Sequence, residues 1–371
     1  MRIGMALPRL GFLGGIEKYA WDLSGALAAR GHHLRLLHGD AEGRDPKRFL
    51  SAFAEHRPVG AGCADDLEVV YVQRAARLED LAPFGGRPLL IASHDHDHTC
   101  LRRHRYLPLN LQPCHRAPGP GCFTHGCFVL RDRTPEARFP VVLGNPLKLR
   151  SRLRALSARA PLAACSDYIA RNLIAGGASA DRVHTLHSIP PESDAQPTPR
   201  PETASLLFVG QLIRGKGLDI AIEALEHMPE TTLTVAGDGP SRTEWESLAR
   251  DRAPGRVRFV GYVQPQELDR VYDEASVVVV PSRWPEPFGM IGIEAMRRGR
   301  PVAGANHGGI PEWMGEGGLL FTPADPRDMA RAVRTLVADR AAGERALAHA
   351  RENFPHSRLT ERAEQLLRAQ L

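Results

Sequence analysis

Short apolar runs alternate with amphipathic stretches along most of the chain. Arg2-Ile-Gly-Met-Ala-Leu7 reads as a buried strand and leads to a glycine-rich turn, Gly11-Phe-Leu-Gly-Gly15. From Ile16 to Arg30 the apolar residues Tyr19, Ala20, Leu23, Ala26 and Leu27 fall on one helical face. Gly31 ends that pattern, and His33-Leu-Arg-Leu-Leu37 is the next strand. Strand, glycine loop, helix, strand is one βαβ unit. Further strands are predicted at Leu67–Val72, Pro88–Ala92, Leu162–Cys165 and Val183–Leu186. Five prolines between Ile189 and Ala204 then mark an extended linker. The alternation restarts with strands at Ser205–Val209, Thr232–Ala236, Val257–Val260, Ser276–Pro281, Pro301–Gly304 and Leu319–Phe321. Helical patterns lie at Leu218–Leu225, Met329–Leu336 and His356–Leu371. Repeated βα alternation predicts an α/β fold of parallel sheets covered on both faces. The expected organisation is an N-terminal Rossmann-like domain over 1–190, a linker over 191–204, a C-terminal Rossmann-like domain over 205–352, and a final helix over 353–371 that packs back across the domains. Ligands of such sheets sit at the carboxyl ends of the strands, so the cleft between the two domains is the expected active site.

Composition changes this picture in few places. The chain has 371 residues, 43% hydrophobic and 25% charged, which excludes wholesale disorder. No apolar run is long enough for a transmembrane helix. The N-terminus shows no separate apolar leader region, so the expected compartment is the cytoplasm. The net charge of +5 is too mild to point to nucleic acid. Lysine occurs only at 18, 47, 148 and 216, so a lysine in this arginine-biased chain invites a specific explanation.

The densest chemical signal is Pro285-Glu286-Pro287-Phe288-Gly289-Met290-Ile291-Gly292-Ile293-Glu294-Ala295, directly after the apolar run Val277–Val280. Two carboxylates eight residues apart span at most ~12 Å if the segment is all helical. That separation suits a ligand with a hydroxylated group at each end and an anion between. The N–H groups from Phe288 to Ile291 at the helix start offer a seat for phosphate.

This segment resembles the E-x7-E motif of retaining GT-B glycosyltransferases of the family 4 type. The likeness extends to Phe208-Val-Gly-Gln-Leu-Ile-Arg-Gly-Lys-Gly-Leu218, to Val235-Ala-Gly-Asp-Gly239, to Val260-Gly-Tyr-Val263, and to Gly14-Gly15 with Ala28-Ala-Arg-Gly-His32. The resemblance implies a GT-B fold, a nucleotide-sugar donor bound by the C-terminal domain, and an acceptor glycan, glycolipid or small molecule presented by the N-terminal one. It implies that Lys216 contacts the donor diphosphate, Glu294 the ribose and Glu286 the donor sugar. Gln211, Arg214, Val263, Phe288, Gly289, Met290 and Ile291 line the same donor site, and Gly14 and Gly15 let backbone approach the diphosphate. Gln211 departs from the family, which usually has arginine there. His94, at the end of the strand Leu89–Ala92, matches a functional histidine or acid near the donor sugar, with Asp95 and His96 as rivals in Ser93-His-Asp-His-Asp-His98. His94, Lys216 and Glu286 are thus the catalytic candidates. The implied chemistry is front-face attack with retention, charge on the departing diphosphate being met by basic residues, with no metal required for catalysis. Bacterial polysaccharide or glycolipid assembly is the common use of such enzymes. A catalytically silent sugar-nucleotide-binding subunit and a sugar-nucleotide epimerase of the same fold are the alternatives.

Two segments stand outside this reading. Cys100, Cys114, Cys122 and Cys127 fall in a proline-rich insertion over 98–136, with spacing C-x13-C-x7-C-x4-C. A structural Zn²⁺ on four thiolates, disulfides and plain thiols are all compatible with it. Lys148-Leu-Arg-Ser-Arg-Leu-Arg154 carries four cations and no acid. It reads either as a solvated helix face or as a peripheral contact with anionic lipid.

Overall fold

The computed structural model describes residues 1–109, 112–131, 141–190, 196–264 and 267–371. The chain divides into two compact units, Met1–Ser188 with His356–Leu371, and Ile189–Pro355.

The first unit begins β1 (Arg2–Leu10), α1 (Gly15–Ala29), β2 (His33–Glu42), α2 (Pro46–Leu50), β3 (Glu55–Pro58), β4 (Val69–Val72) and β5 (Leu89–Ser93). After β5 come α3 (Gly121–Thr124) and the antiparallel pair β6 (Val129–Arg131) and β7 (Val141–Leu143). The unit continues through α4 (Pro146–Arg159), β8 (Leu162–Ala164), α5 (Asp167–Gly176) and β9 (Val183–Thr185). Its main sheet is parallel throughout, in the order β3-β2-β1-β4-β5-β8-β9. Ile3 and Met5 of β1, Val69 and Val70 of β4, and Leu90 and Ile91 of β5 are fully buried. Helices cover both faces of such a sheet, which is why these strands read as unbroken apolar runs rather than alternating ones.

The second unit runs β10 (Ser205–Val209), α6 (Leu218–Ala224), β11 (Thr232–Ala236), α7 (Arg242–Arg252), β12 (Val257–Gly261), α8 (Leu268–Asp273), β13 (Val277–Val280), α9 (Met290–Arg297), β14 (Val302–Ala305), α10 (Ile310–Met314), β15 (Gly318–Phe321), α11 (Pro326–Ala338) and α12 (Ala342–Asn353). The parallel sheet has the order β12-β11-β10-β13-β14-β15. Strand order therefore reverses between β10 and β13, as it does between β1 and β4 in the first unit. Such a reversal opens a crevice at the carboxyl edge, because the following loops diverge to opposite sides.

The helix ends obey local chemistry. Ser166 caps α5 by accepting from the Ile169 N–H at 3.0 Å, and Asp325 caps α11 ahead of Pro326 at its first position. The last helix, α13 (His356–Arg368), belongs to the first unit and packs on α1 and β5. It buries Leu359, Ala363, Leu366 and Leu367, and Glu364 pairs with Arg30 at 2.8 Å.

Of the stretch read as a linker, residues 191–195 lie outside the described residues, as do 110–111 and 132–136 of the insertion. Residues 196–200 are exposed or half-buried but fastened to the rest of the second unit by hydrogen bonds. Arg298 donates to the Gln196 carbonyl at 3.0 Å, the buried Arg300 to the Thr198 carbonyl at 2.9 Å, and Arg200 to the carbonyls of Leu336 and Asp339 at 2.7 Å each. Among the described residues no helix is long and apolar enough to cross a membrane.

Candidate functional site

In the second unit the loops that follow β10 and β13 flank the strand-order reversal, and they carry Lys216 and Glu286. Lys216 Nζ donates to Glu286 Oε1 at 2.8 Å. Ser282 Oγ and, at 3.4 Å, Trp284 Nε1 donate to the same carboxylate oxygen. Glu286 is only 5% exposed. Burial alone pushes its carboxyl up, but the Lys216 charge and the three hydrogen bonds outweigh that, and the group sits below the ordinary glutamate value. The Lys216 ammonium also lies 5.9 Å from the centre of the Trp284 ring.

The backbone enforces this meeting. Gly217 has φ +70°, and a Cβ there would lie 2.0 Å from the Pro281 carbonyl oxygen, so only glycine lets the two loops approach. The loop after β14 clamps from the other side. His307 Nε2 donates to the Ser282 carbonyl at 2.7 Å, and the Gly309 N–H donates to the Glu286 carbonyl at 2.8 Å.

The helix expected from Phe288 starts later. Gly289 is its cap, with φ +92°, and α9 begins at Met290. Phe288 lies outside the helix with its ring buried and its carbonyl accepting from Trp313 Nε1 at 2.6 Å. The helix start, and with it the first turn expected at Phe288, is thus shifted to Met290. Gly292, inside α9, faces the Trp313 ring, where a Cβ would come within 2.2 Å. Glu294 lies one turn into α9 and accepts from the Tyr272 hydroxyl at 2.9 Å. Burial, then the Glu294 charge, raises the Tyr272 phenol well above its ordinary value, so it stays a donor. Val263 follows β12 and is half-buried, while Gln211 and Arg214 are exposed in the loop after β10.

The first unit has its own cluster at the carboxyl edge of β1, β4 and β5. His94 Nε2 donates to Gln73 Oε1 at 2.8 Å, and Tyr19 meets the His94 ring edge-on with centres 4.8 Å apart. Burial lowers the His94 imidazole to about 4, so it is neutral at neutral pH. Asp95 moves the other way: burial and then the Asp97 charge raise it to about 6. Ile16, Gln73, Arg74, His94, Asp95 and Asp97 line a small pocket here. His96, the other rival, turns away and packs buried against Tyr168. Gly14 caps α1, and its N–H donates to Glu17 Oε2 at 3.0 Å. Its φ of −158° suits any residue, and the nearest atom a Cβ would meet is 3.9 Å away. The protein's own packing therefore does not demand glycine at this position.

Gln73, Tyr272, Ser282 and Trp284 belong to these clusters and were not among the sequence candidates. Gln73 had a signal, since it is the first polar residue after the apolar run Val69–Val72. No disulfide joins the four cysteines of the insertion.

The family profile described as "Glycosyl transferases group 1" matches residues 203–339. Glycogen synthase of Mycobacterium tuberculosis is 37% identical over 164 residues, which is 42% of this chain and 39% of that protein. D-inositol 3-phosphate glycosyltransferase of Corynebacterium kroppenstedtii is 37% identical over 163 residues, 39% of this chain and 36% of that one. The chain thus spans well under half the length of these curated relatives. Similarity to solved structures runs over the whole chain. Anabaena HepE in complex with UDP and glucose aligns over 100% of both chains with TM-score 0.73 at 18% identity. WaaG, a glycosyltransferase involved in lipopolysaccharide biosynthesis, aligns over 98% of this chain and 99% of its own with TM-score 0.66 at 18% identity. The chain has the GT-B fold, and residues 203–339 of its second unit are similar to group 1 glycosyl transferases.

Proposed function

We propose that this protein is a retaining glycosyltransferase that moves a sugar from a nucleoside-diphosphate sugar to an acceptor in polysaccharide or glycolipid assembly. The observation that carries the reading is the pairing of the half-buried Lys216 with the buried Glu286 beside the α9 N-terminus, at the strand-order reversal where this fold class takes its ligands. Lys216, already held between Glu286 and Trp284, is poised to meet the charge that grows on a departing diphosphate, with the first turn of α9 and the exposed Arg214 as further donors. Glu294, oriented by Tyr272, is suited to ribose hydroxyls, and Glu286 to hydroxyls of the donor sugar. The neutral His94 can donate or accept a hydrogen bond without adding charge. The spare room at Gly14 suits a ligand approaching the backbone. Catalysis in this reading uses basic residues and no metal. UDP-sugars are the first donors to test, since HepE was solved with UDP and with UDP-glucose.

A contact with anionic lipid fits one face of the first unit. Val141, Val142, Leu143 and Leu147 are exposed beside Lys148, while α4 buries only Leu153 and Leu156 of its leucines. This would suit a lipid-linked acceptor reached from the cytoplasmic side.

A thermal-shift panel of nucleoside diphosphates and nucleotide sugars tests the donor site, because a ligand that binds the native state raises its apparent stability. At least one nucleotide should shift the transition, and Glu294→Ala should abolish the shift. The absence of any shift on folded protein would sink the reading. NMR of the product's anomeric centre tests retention. Gln211, neutral and exposed, favours a second reading as a silent binder; nucleotide binding without acceptor-dependent release of nucleoside diphosphate would support it.

A further inference from the structure

Between Cys100 and Arg131 the buried residues among those described are Arg105, Pro118, Gly119 and Cys127. None contributes a large aliphatic or aromatic side chain to a core. Such burial is too little to offset the conformational entropy of ordering the segment. Its backbone is nevertheless closely tied. The Cys114 N–H donates to the Arg105 carbonyl at 2.7 Å, Cys122 to Gly119 at 2.9 Å, and Cys127 to Cys122 at 2.9 Å. These turns fold the segment back on itself, so that the four cysteines come within electrostatic reach of one another. The thiols of Cys100, Cys114 and Cys122 all act electrostatically on Cys127. The other two cysteines are engaged elsewhere, Cys63 Sγ donating to the Pro83 carbonyl and Cys165 Sγ to that of His94. Two cations face the group. Arg105 is buried and donates to the carbonyls of Cys114 and Arg116 at 2.9 and 2.8 Å, and its charge reaches Cys122, while that of Arg102 reaches Cys127.

We propose that Cys100, Cys114, Cys122 and Cys127 form a closed tetrathiolate site for a structural zinc ion. Zn²⁺ displaces four thiol protons to solvent and leaves a centre of net charge −2, which Arg102 and Arg105 balance. Four protein sulfurs complete the tetrahedral shell, so no position is left for substrate. No three of the four sulfurs lie within 4.8 Å of one another, and a bound ion would draw them together by turning the side chains between staggered χ1 wells. The site also steadies the loop that carries His94. The N–H groups of Thr99 and Cys100 donate to the His96 carbonyl at 3.0 and 2.8 Å, so the first ligand is tied directly to the segment after β5.

The test is elemental analysis of the full chain purified without chelator from zinc-supplemented cells. About one zinc per chain is expected. Replacement by Co²⁺ should give the visible and charge-transfer bands of a tetrahedral thiolate site. Cys114→Ser and Cys122→Ser should each lower zinc at least tenfold, whereas Cys63→Ser and Cys165→Ser should leave it unchanged. Should the ligand variants not fold, a mercurial titration of the wild type should release the zinc as the four thiols react. Less than a tenth of a zinc per chain without a cobalt spectrum, zinc retained in both ligand variants, or iron in its place would overturn the proposal. The nucleotide shift, read on the same samples, reports the donor site separately. Zinc without any nucleotide shift would leave this site standing and the donor reading lost.

Discussion

Glu286 holds three hydrogen-bond donors on a carboxylate that water hardly reaches. Removing the cation should therefore cost more than removing the pair. Lys216→Ala leaves a buried charge uncompensated and is expected to destabilise by ~3 kcal/mol. The double variant Lys216→Ala/Glu286→Gln should recover much of that loss in denaturant titrations, while nucleotide binding stays weak in both. His94 and Asp95 give a second prediction, with opposite signs. The His94 value of about 4 lies below the ordinary histidine value, so its contribution is present above about 6.5 and lost as pH falls towards 4. The Asp95 value of about 6 lies above the ordinary aspartate value, so its contribution is present below about 3.8 and lost as pH rises through 6. The two oppose each other between pH 4 and 6. His94→Gln should make stability less sensitive to acid in that window, and Asp95→Asn should make it more so. Stability curves of the two variants that change slope in the same direction would contradict this.

At the scale of elements, α13 is the clearest dependency. It buries Leu359, Leu366 and Leu367 in the first unit, each worth roughly 1.5–3 kcal/mol. Their sum is comparable to the whole stability of a typical domain. Deleting residues 356–371 should leave the first unit open to limited proteolysis, with the second unit intact. Strands buried on both faces were legible in the sequence because they are unbroken apolar runs; β4 and β13 are valine-rich examples. The edge strand β3, Glu-His-Arg-Pro, was not, because its residues are exposed or half-buried and carry no apolar period. The hairpin β6–β7 exposes Val129, Val141, Val142 and Leu143 and has no pattern that a core would impose. The same logic divides the site. Lys216, Glu286 and Glu294 sit in short local motifs, which a single sequence displays. Gln73 meets His94 only because β4 lies beside β5, and Tyr272 meets Glu294 only through the packing of α8 near α9. The turns that tie the cysteine segment likewise leave no mark in composition.

At the scale of the whole molecule, the donor loops belong to one unit. Hydrogen exchange with saturating nucleotide is expected to protect residues 209–217 and 286–294 of the second unit, above all the first turn of α9. Protection confined to the first unit would contradict the assignment. The two units also differ in how the chain supplies them. The second is one continuous stretch, Ile189–Pro355, whereas the first takes its last helix from beyond that stretch. Protein synthesis runs from the N-terminus, and domains fold as units while the chain emerges. The unit made second can therefore finish folding first. The unit made first must wait on the ribosome, with the α1 face that α13 will cover still open, until that helix has been released.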